Sequence, residues 1–489
     1  MHCGLCCNAS IIINQKTMFY RLFLVVLLGV SFLKLNAQEQ SKSLNLEQSI
    51  ALALANNLDL KTADLNAETE AIRYKQSRNA LLPGLNADYN LGLSNGRSID
   101  PFTNAYVNEQ LTYSNAGLSL SATVFNGFRL LNTLKQSSLN KAAAVMEHKE
   151  AQQNLILDVT LAFLQVLNSR ELLKLAQSRV LTSQEQLQRL AKMQEEETGD
   201  PAAYRDLQGQ VATDEASVAE AHNNLKNAVT SLETLLNANV NINADELTLL
   251  LDFQEREDTA AAIYEEALLN LASVRAKELR LEAATKGVVV ARSQYSPEIR
   301  VFANLGTNYS SAARVFDDAG TQLKQTGDFV TVSGTEYSVF TEENLFDAST
   351  ISYTDQFNNN LNSTAGVSVS IPLFNGFQAK NAVQLQKIEK DQAKLNLEQT
   401  KLSLKQNIQQ AYNDTEAAYI RLTKLTEQEA AFEDSFRINE TRFNLGVSTS
   451  VEYLISKNKL DNARINLTTV KYEYVLRNKV LEYYKGGVN

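Results

Sequence analysis

Apolar and polar residues alternate along four short stretches of the chain, and long stretches with helical spacing separate them. Leu85, Ala87, Tyr89, Leu91 and Leu93 alternate with Asn86, Asp88, Asn90 and Gly92, the period of a half-buried strand. Leu118, Leu120, Ala122 and Val124 alternate with Ser119, Ser121 and Thr123. Residues 299–305 alternate less cleanly, because Phe302 falls on the polar side, and Val367, Val369 and Ile371 alternate with Ser368 and Ser370. Elsewhere the apolar residues step by four and three. One file is Leu155, Val159, Ala162, Val166, Ser169, Leu173, Ala176, Val180, Ser183, Leu187 and Leu190. A second is Leu404, Ile408, Ala411, Thr415, Ala418, Leu422, Leu425, Glu429, Phe432, Phe436, Asn439 and Phe443. Sustained 4–3 steps predict helix packed on helix with left-handed supercoiling.

These elements occur twice in one order. Val124-Phe125-Asn126-Gly127-Phe128 returns as Leu373-Phe374-Asn375-Gly376-Phe377, each closing a strand and opening a helical run of about 70 residues. Pro83 and Pro297 both end a helix-like run and start a strand. An internal duplication of this kind fixes the architecture before any site is considered. The expected division is residues 38–262 for the first repeat and 263–489 for the second. The helix of the first repeat, capped by Asn45, is expected to run to Leu82. Polar loops are expected at 94–114 and 310–362. The second holds eight acids against Arg314 and Lys324, and a loop that long is functional or disordered.

Each long helical run breaks at a glycine. At the first break Gly199 is expected as the helix C-cap, Asp200 as the next N-cap and Pro201 at the first helical position. At the second, Gly446 ends one helix, Val447 follows, and Thr449 with Glu452 reads as a capping box. Each repeat therefore contains a long helical hairpin.

Composition places this assembly. Residues 1–37 carry Lys16 and Arg21 ahead of an apolar run at 22–33, the pattern of a secretory signal peptide. All three cysteines (Cys3, Cys6, Cys7) precede that run. The expected mature chain has none, which excludes disulfides and thiol chemistry. The formal charge of −10 disfavours nucleic acid as a partner. No later stretch is long and apolar enough for a transmembrane helix. No phosphate loop, nucleophile elbow or metal-ligand spacing appears, so no cofactor, metal site or enzymatic activity is expected.

Four strands with one apolar face each leave two open sheet edges. In lipid such a sheet must close into a barrel, and four strands are too few to enclose a pore, so several copies must pool their strands. The lipid-facing set would be Leu85, Tyr89, Leu91, Leu118, Leu120, Val124, Val301, Leu305, Val367, Val369 and Ile371. The lumen set would be Asn86, Asp88, Asn90, Ser119, Ser121, Thr123, Arg300, Asn304, Ser368 and Ser370.

The order signal peptide, strand pair, long hairpin, strand pair, long hairpin resembles the TolC family of outer-membrane efflux proteins. The opening Leu46…Asn56-Asn57 strengthens the likeness. The phrase Gly96-Arg97-Ser98-Ile99-Asp100-Pro101 and the two Phe-Asn-Gly-Phe junctions look like members from the Bacteroidota. The resemblance covers about residues 44–485. It implies a mainly α protein with a membrane β-barrel: a homotrimer whose twelve strands form one barrel, continued by an α-helical tunnel into the periplasm of a Gram-negative bacterium. It also implies outer-membrane lipid, a periplasmic adaptor and an inner-membrane transporter of the RND or ABC type as partners, in efflux or type I secretion. By position, the two hairpin turns would be the periplasmic tips, with Gly199, Asp200, Gly446, Val447, Thr449, Glu452 and Leu454 as adaptor contacts. Arg442 and Glu452 would be a gate pair. The first copy departs from the family pattern, with Arg205-Asp206-Leu207 where the acid would sit.

Blander roles stand beside these. Glu452 suits a capping box, Arg442 a solvated helix end, and the Phe432, Phe436, Phe443 stripe seam packing. His148 and His222 lie far apart on polar helical sequence. A periplasmic adaptor would need one hairpin between compact β domains and an inner-membrane anchor. A secreted coiled-coil protein would leave the recurring strands unexplained.

Overall fold

A computed structural model describes residues 44–99, 104–108, 110–238, 242–247, 249 and 251–486. The proposed signal peptide lies outside the described residues. The elements repeat with near-equal lengths. Helices α1 (Leu46–Asn56) and α2 (Leu58–Asn79) have 11 and 22 residues, and their counterparts α5 (Ala260–Asn270) and α6 (Ala272–Arg292) have 11 and 21. The long helices α3 (Arg129–Glu195) and α8 (Gln378–Asn444) both have 67 residues, about 100 Å at 1.5 Å per residue. Their partners α4 (Pro201–Leu236) and α9 (Ser450–Tyr484) have 36 and 35.

Chain contacts divide the protein into two compact units that cut across the repeats. One takes residues up to Asn57, 156–255 and 416–479. The other takes 58–155, 256–415 and 480 onward. Within the first, Ala418, Leu422, Leu467, Val470 and Tyr474 form one core cluster, and Leu190, Ala203, Leu207 and Tyr453 form another. Within the second, Ile263, Ala267, Leu271 and Val274 pack with Leu404, Ile408 and Leu481. All 23 positions of the two 4–3 files are buried or half-buried, so the heptad reading holds residue by residue.

The first helix is shorter than its apolar pattern predicts. Asn45 caps it with a reciprocal box to Gln48. The chain then turns extended at Asn57, whose side chain donates to the Leu235 carbonyl, while Asn237 donates to the Asn56 carbonyl. These bonds satisfy backbone at the break, and α2 ends at Asn79 rather than Leu82.

The second unit holds a four-stranded antiparallel sheet in the order β1 (Gly84–Ser94), β4 (Leu111–Asn126), β5 (Glu298–Ser310), β8 (Asn362–Ser370). Among the described residues of the loop expected at 94–114 are a small ribbon, β2 (Arg97–Ile99) with β3 (Tyr106–Asn108), and the start of β4. The expected loop 310–362 is also mostly structure. It contains β6 (Arg314–Val332) paired with β7 (Thr335–Thr350), then helix α7 (Tyr353–Asn359). Two register shifts in that ribbon break the period of two, which hid its strands from the alternation test.

Both strand-to-helix junctions share an unusual backbone. Gly127 and Phe128 have φ of +65° and +60°, and Gly376 and Phe377 have +62° and +61°. Bulky residues rarely adopt this left-handed region. In each copy the first and last phenylalanines of the motif meet edge to face, with ring centroids 5.3 Å apart for Phe125–Phe128 and 5.5 Å for Phe374–Phe377. Such pairs are worth about 0.5–1.5 kcal/mol, which offsets part of the strain.

Candidate functional site

Strand register decides which residues share a face. Asn86 pairs with Ser119, Ser119 with Asn304, Thr123 with Arg300, and Arg300 with Ser368. Paired residues in an antiparallel sheet point the same way, and alternate residues along a strand point oppositely. All ten expected lumen residues therefore lie on one face of the sheet. Gly84, Gly92, Gly117, Gly306 and Gly366 fall on that face too. Some of them make room for larger neighbours. A Cβ at Gly366 would come within 2.8 Å of the Phe302 ring, and one at Gly117 within 2.9 Å of the Asp88 carboxylate. The face also carries an ion pair, Arg300 Nε to Glu298 Oε1 at 2.8 Å.

The opposite face holds the apolar file, with Leu85 opposite Leu120, Leu118 opposite Leu305, and Val301 opposite Val367. Two members of the expected set depart from it. The register slips between Thr123 and Phe125, so Phe125, not Val124, pairs with Ile299 on the apolar side. Ile371 follows the last residue of β8. Near the loop end, α7 docks on this same face. Tyr353 Oη lies within hydrogen-bond distance of Tyr89 Oη (3.2 Å) and Ser114 Oγ (3.1 Å), and its ring stacks on Phe357.

The hairpin turns lie together in the first unit. Helix α8 ends in a Schellman motif, with Gly446 N–H donating to the Phe443 carbonyl and Val447 N–H to the Arg442 carbonyl. Gly446 has φ +72°, as expected of the capping glycine. The first turn uses the same bonds with a different residue. Glu197 takes the left-handed position (φ +58°), its N–H donates to the Gln194 carbonyl, and Thr198 N–H donates to the Met193 carbonyl. Gly199 is therefore not the cap. A Cβ there would lie 2.8 Å from the Gln194 nitrogen, so its role is close backbone approach. Asp200 caps α4 through Ala202 N–H at 2.9 Å.

At the second turn Thr449 Oγ1 accepts from Glu452 N–H at 3.3 Å, half of the expected capping box. Arg442 and Glu452 are both exposed, and no ion pair joins them among the described residues. Leu454 is half-buried against the cluster around Tyr453. The exposed apolar side chains there are Leu445 and Val447 in the turn and Val451 and Ile455 on α9, and the last two are neighbours at i, i+4 on the helix. Arg189 of α3 reaches the end of α8, where Nη2 donates to the Asn444 carbonyl at 2.6 Å. Tyr453 is buried and stacked on Phe443 (4.9 Å), and burial pushes its phenol well above the usual range.

A charged cluster missing from the sequence reading lies in the same unit. Asp214 of α4 and Lys457 of α9 are buried and paired at 3.1 Å. Arg179 of α3 sits 3.1 Å from both Asp214 and Asp461, and Lys457 sits 2.8 Å from Asp461. Ser183 and Gln210 also donate to Asp214. Two cations balance two anions, and three helices are tied by them. Charged residues inside a seam, Asp214 following Ala203, Leu207 and Val211 on the buried face of α4, are the signal that would have revealed it.

A family model described as outer membrane efflux protein matches residues 49–238 and 263–487. The chain belongs to the outer membrane efflux protein family. It is 23% identical over 478 residues to outer membrane protein TolC of Escherichia coli, covering 95% of this chain and 86% of that protein. It is 26% identical over 266 residues to the toluene efflux pump outer membrane protein TtgF of Pseudomonas putida, 54% of each. Its fold matches the Campylobacter jejuni CmeC outer membrane channel (TM-score 0.72, 17% identity, 90% of this chain and 85% of that one). It also matches the open state of the Neisseria gonorrhoeae MtrE outer membrane channel (TM-score 0.70, 19% identity, 93% and 94%). This efflux protein is thus an outer-membrane channel component for tripartite efflux, with a helical tunnel extending into the periplasm. It works as a trimer with a periplasmic adaptor and an inner-membrane pump of the RND or ABC class.

Proposed function

We propose that the chain is a passive exit duct with no catalytic role, built from the two repeats 38–262 and 263–489. The ten polar strand residues line its lumen, and the two hairpin turns form its periplasmic gate and adaptor contacts. One observation carries the lumen assignment: these ten polar residues and every glycine of the four-stranded sheet share one face, with the apolar file on the other. A sheet whose edges β1 and β8 are open satisfies its backbone in lipid by pairing with sister subunits. For the adaptor, the second turn offers exposed apolar Val447, with Val451 and Ile455 on the start of α9, next to Gly446, Thr449, Glu452 and Leu454. Gly199 and Asp200 present a more acidic first turn. Arg442 and Glu452, both exposed, are the charges of the gate.

The test is residue-by-residue access. In reconstituted trimers Ser119→Cys should react with a membrane-impermeant thiol reagent and reduce conductance, while Leu120→Cys should stay unreactive. Equal reactivity at both positions would overturn the lumen assignment.

A further inference from the structure

The β6–β7 ribbon is exposed on both sides, yet it is rich in large apolar residues. Its register places Phe316, Leu323, Phe329, Phe340 and Phe346 on one face. Phe316 pairs with Ala348, Phe346 with Asp318, Leu323 with Glu342, Phe340 with Gln325, and Phe329 with Ser338. The two register shifts, at 318–321 and 325–329, bring residues of opposite parity into this single file. Each of the five side chains is more than half exposed. The other face carries Val315, Val330, Val332, Tyr337, Val339 and Leu345 beside the Lys324–Glu343 pair.

The base of the ribbon is fixed. The buried Gln356 side chain accepts from Ser310 N–H (2.9 Å) and donates to the Ser310 and Ile351 carbonyls (3.0 Å each). Ser311 N–H donates to the Thr112 carbonyl at the start of β4. The tip is a tight turn with Ser333 and Gly334 both at positive φ, the geometry that suits a two-residue hairpin. A lone two-stranded ribbon is marginal in water, and an exposed aromatic file of this size marks a covered surface.

We propose that the cover is the same ribbon of the neighbouring subunit. The aromatic face of each would pack on the aliphatic face of the next, making a three-ribbon collar at the external mouth of the channel. The inference rests on the trimer. Its support is continuity: the ribbon returns through α7 directly into β8, the open edge strand that must pair with the next protomer. Two different apolar faces per copy suit a ring, since a head-to-tail contact uses one of each and, under the three-fold symmetry of the trimer, closes. Charge disfavours a lipid cover. The ribbon holds Asp317, Asp318, Asp328, Glu336, Glu342, Glu343 and Asp347 against only Arg314 and Lys324, whereas segments lying on anionic membrane surfaces are basic.

The experiment is disulfide trapping in the full-length protein. Leu323→Cys is combined in turn with Val330→Cys, Val339→Cys or Thr341→Cys. Each pair lies on opposite faces of one ribbon and so cannot close within a chain. Mild oxidation should give covalent trimers on denaturing non-reducing gels from at least one pair. Replacing residues 315–349 by a short Gly-Asn-Gly link should leave the trimer intact and raise single-channel conductance. Intact trimers with no covalent species from any pair would overturn the collar while leaving the channel reading standing. Ribbon cross-links to other proteins only would assign the face to a foreign partner and also overturn it. Monomeric protein would overturn both readings.

Discussion

Replacing Asp214 with alanine should destabilise the helical unit by roughly 3–5 kcal/mol, because it leaves two cations, buried Lys457 and Arg179, sharing the single carboxylate of Asp461. The expected result is a large fall in the denaturant midpoint of the detergent-solubilised trimer, with looser packing near the tips. Removing the charges together should cost far less. A double variant, Asp214→Leu with Lys457→Met, leaves Arg179 paired with Asp461 and no uncompensated cation in the seam. If the single and double variants lose the same stability, the cluster contributes through packing and not through charge. Replacing a buried ion pair by apolar groups is often neutral, so its retention across α3, α4 and α9 reads as a device for fixing their register.

The duplication supplies the second large effect with its own control. Gly127→Ala and Gly376→Ala both place a side chain at positive φ, which costs about 1–2 kcal/mol. At Gly376 the new Cβ meets nothing within 4 Å. At Gly127 it would lie 2.5 Å from Ser296 Cβ and 3.0 Å from the Ser293 carbonyl oxygen. Relieving that overlap moves backbone, at a further cost of about 1–3 kcal/mol. Gly127→Ala should therefore lower trimer stability well beyond Gly376→Ala in thermal dissociation. Equal losses would mean that the two elbows differ less than their surroundings suggest.

Much of the architecture was legible because its signals are periodic and long. The files beginning at Leu155 and Leu404 are buried or half-buried at every step, since a helix seam tolerates no exposed apolar stripe when two hairpins pack. The polar strand face was legible from Asn86 to Ser370 because a period of two leaves no choice of side. Illegible features share one cause, a local break in period. The bulge at Val124 moved the apolar position to Phe125, and the two shifts in the β6–β7 ribbon disguised 35 strand residues as a polar loop. At the first tip, glycine spacing pointed to Gly199, but the left-handed position fell to Glu197, two residues earlier. At the second, Leu454 faces the Tyr453 cluster because Tyr453 and Phe443 stack there, leaving Val451 and Ile455 outward. Asp214 and Lys457 look like ordinary helix charges until three helices are seen to converge on them.

Conduction requires that strands pooled from sister subunits form one barrel. Purified full-length protein, reconstituted into planar bilayers with and without a periplasmic adaptor, should insert as a trimer. It should give discrete single-channel steps that Ser119→Cys labelling reduces and Leu120→Cys labelling leaves unchanged. A monomeric, water-soluble protein that gives no steps under either condition would contradict it.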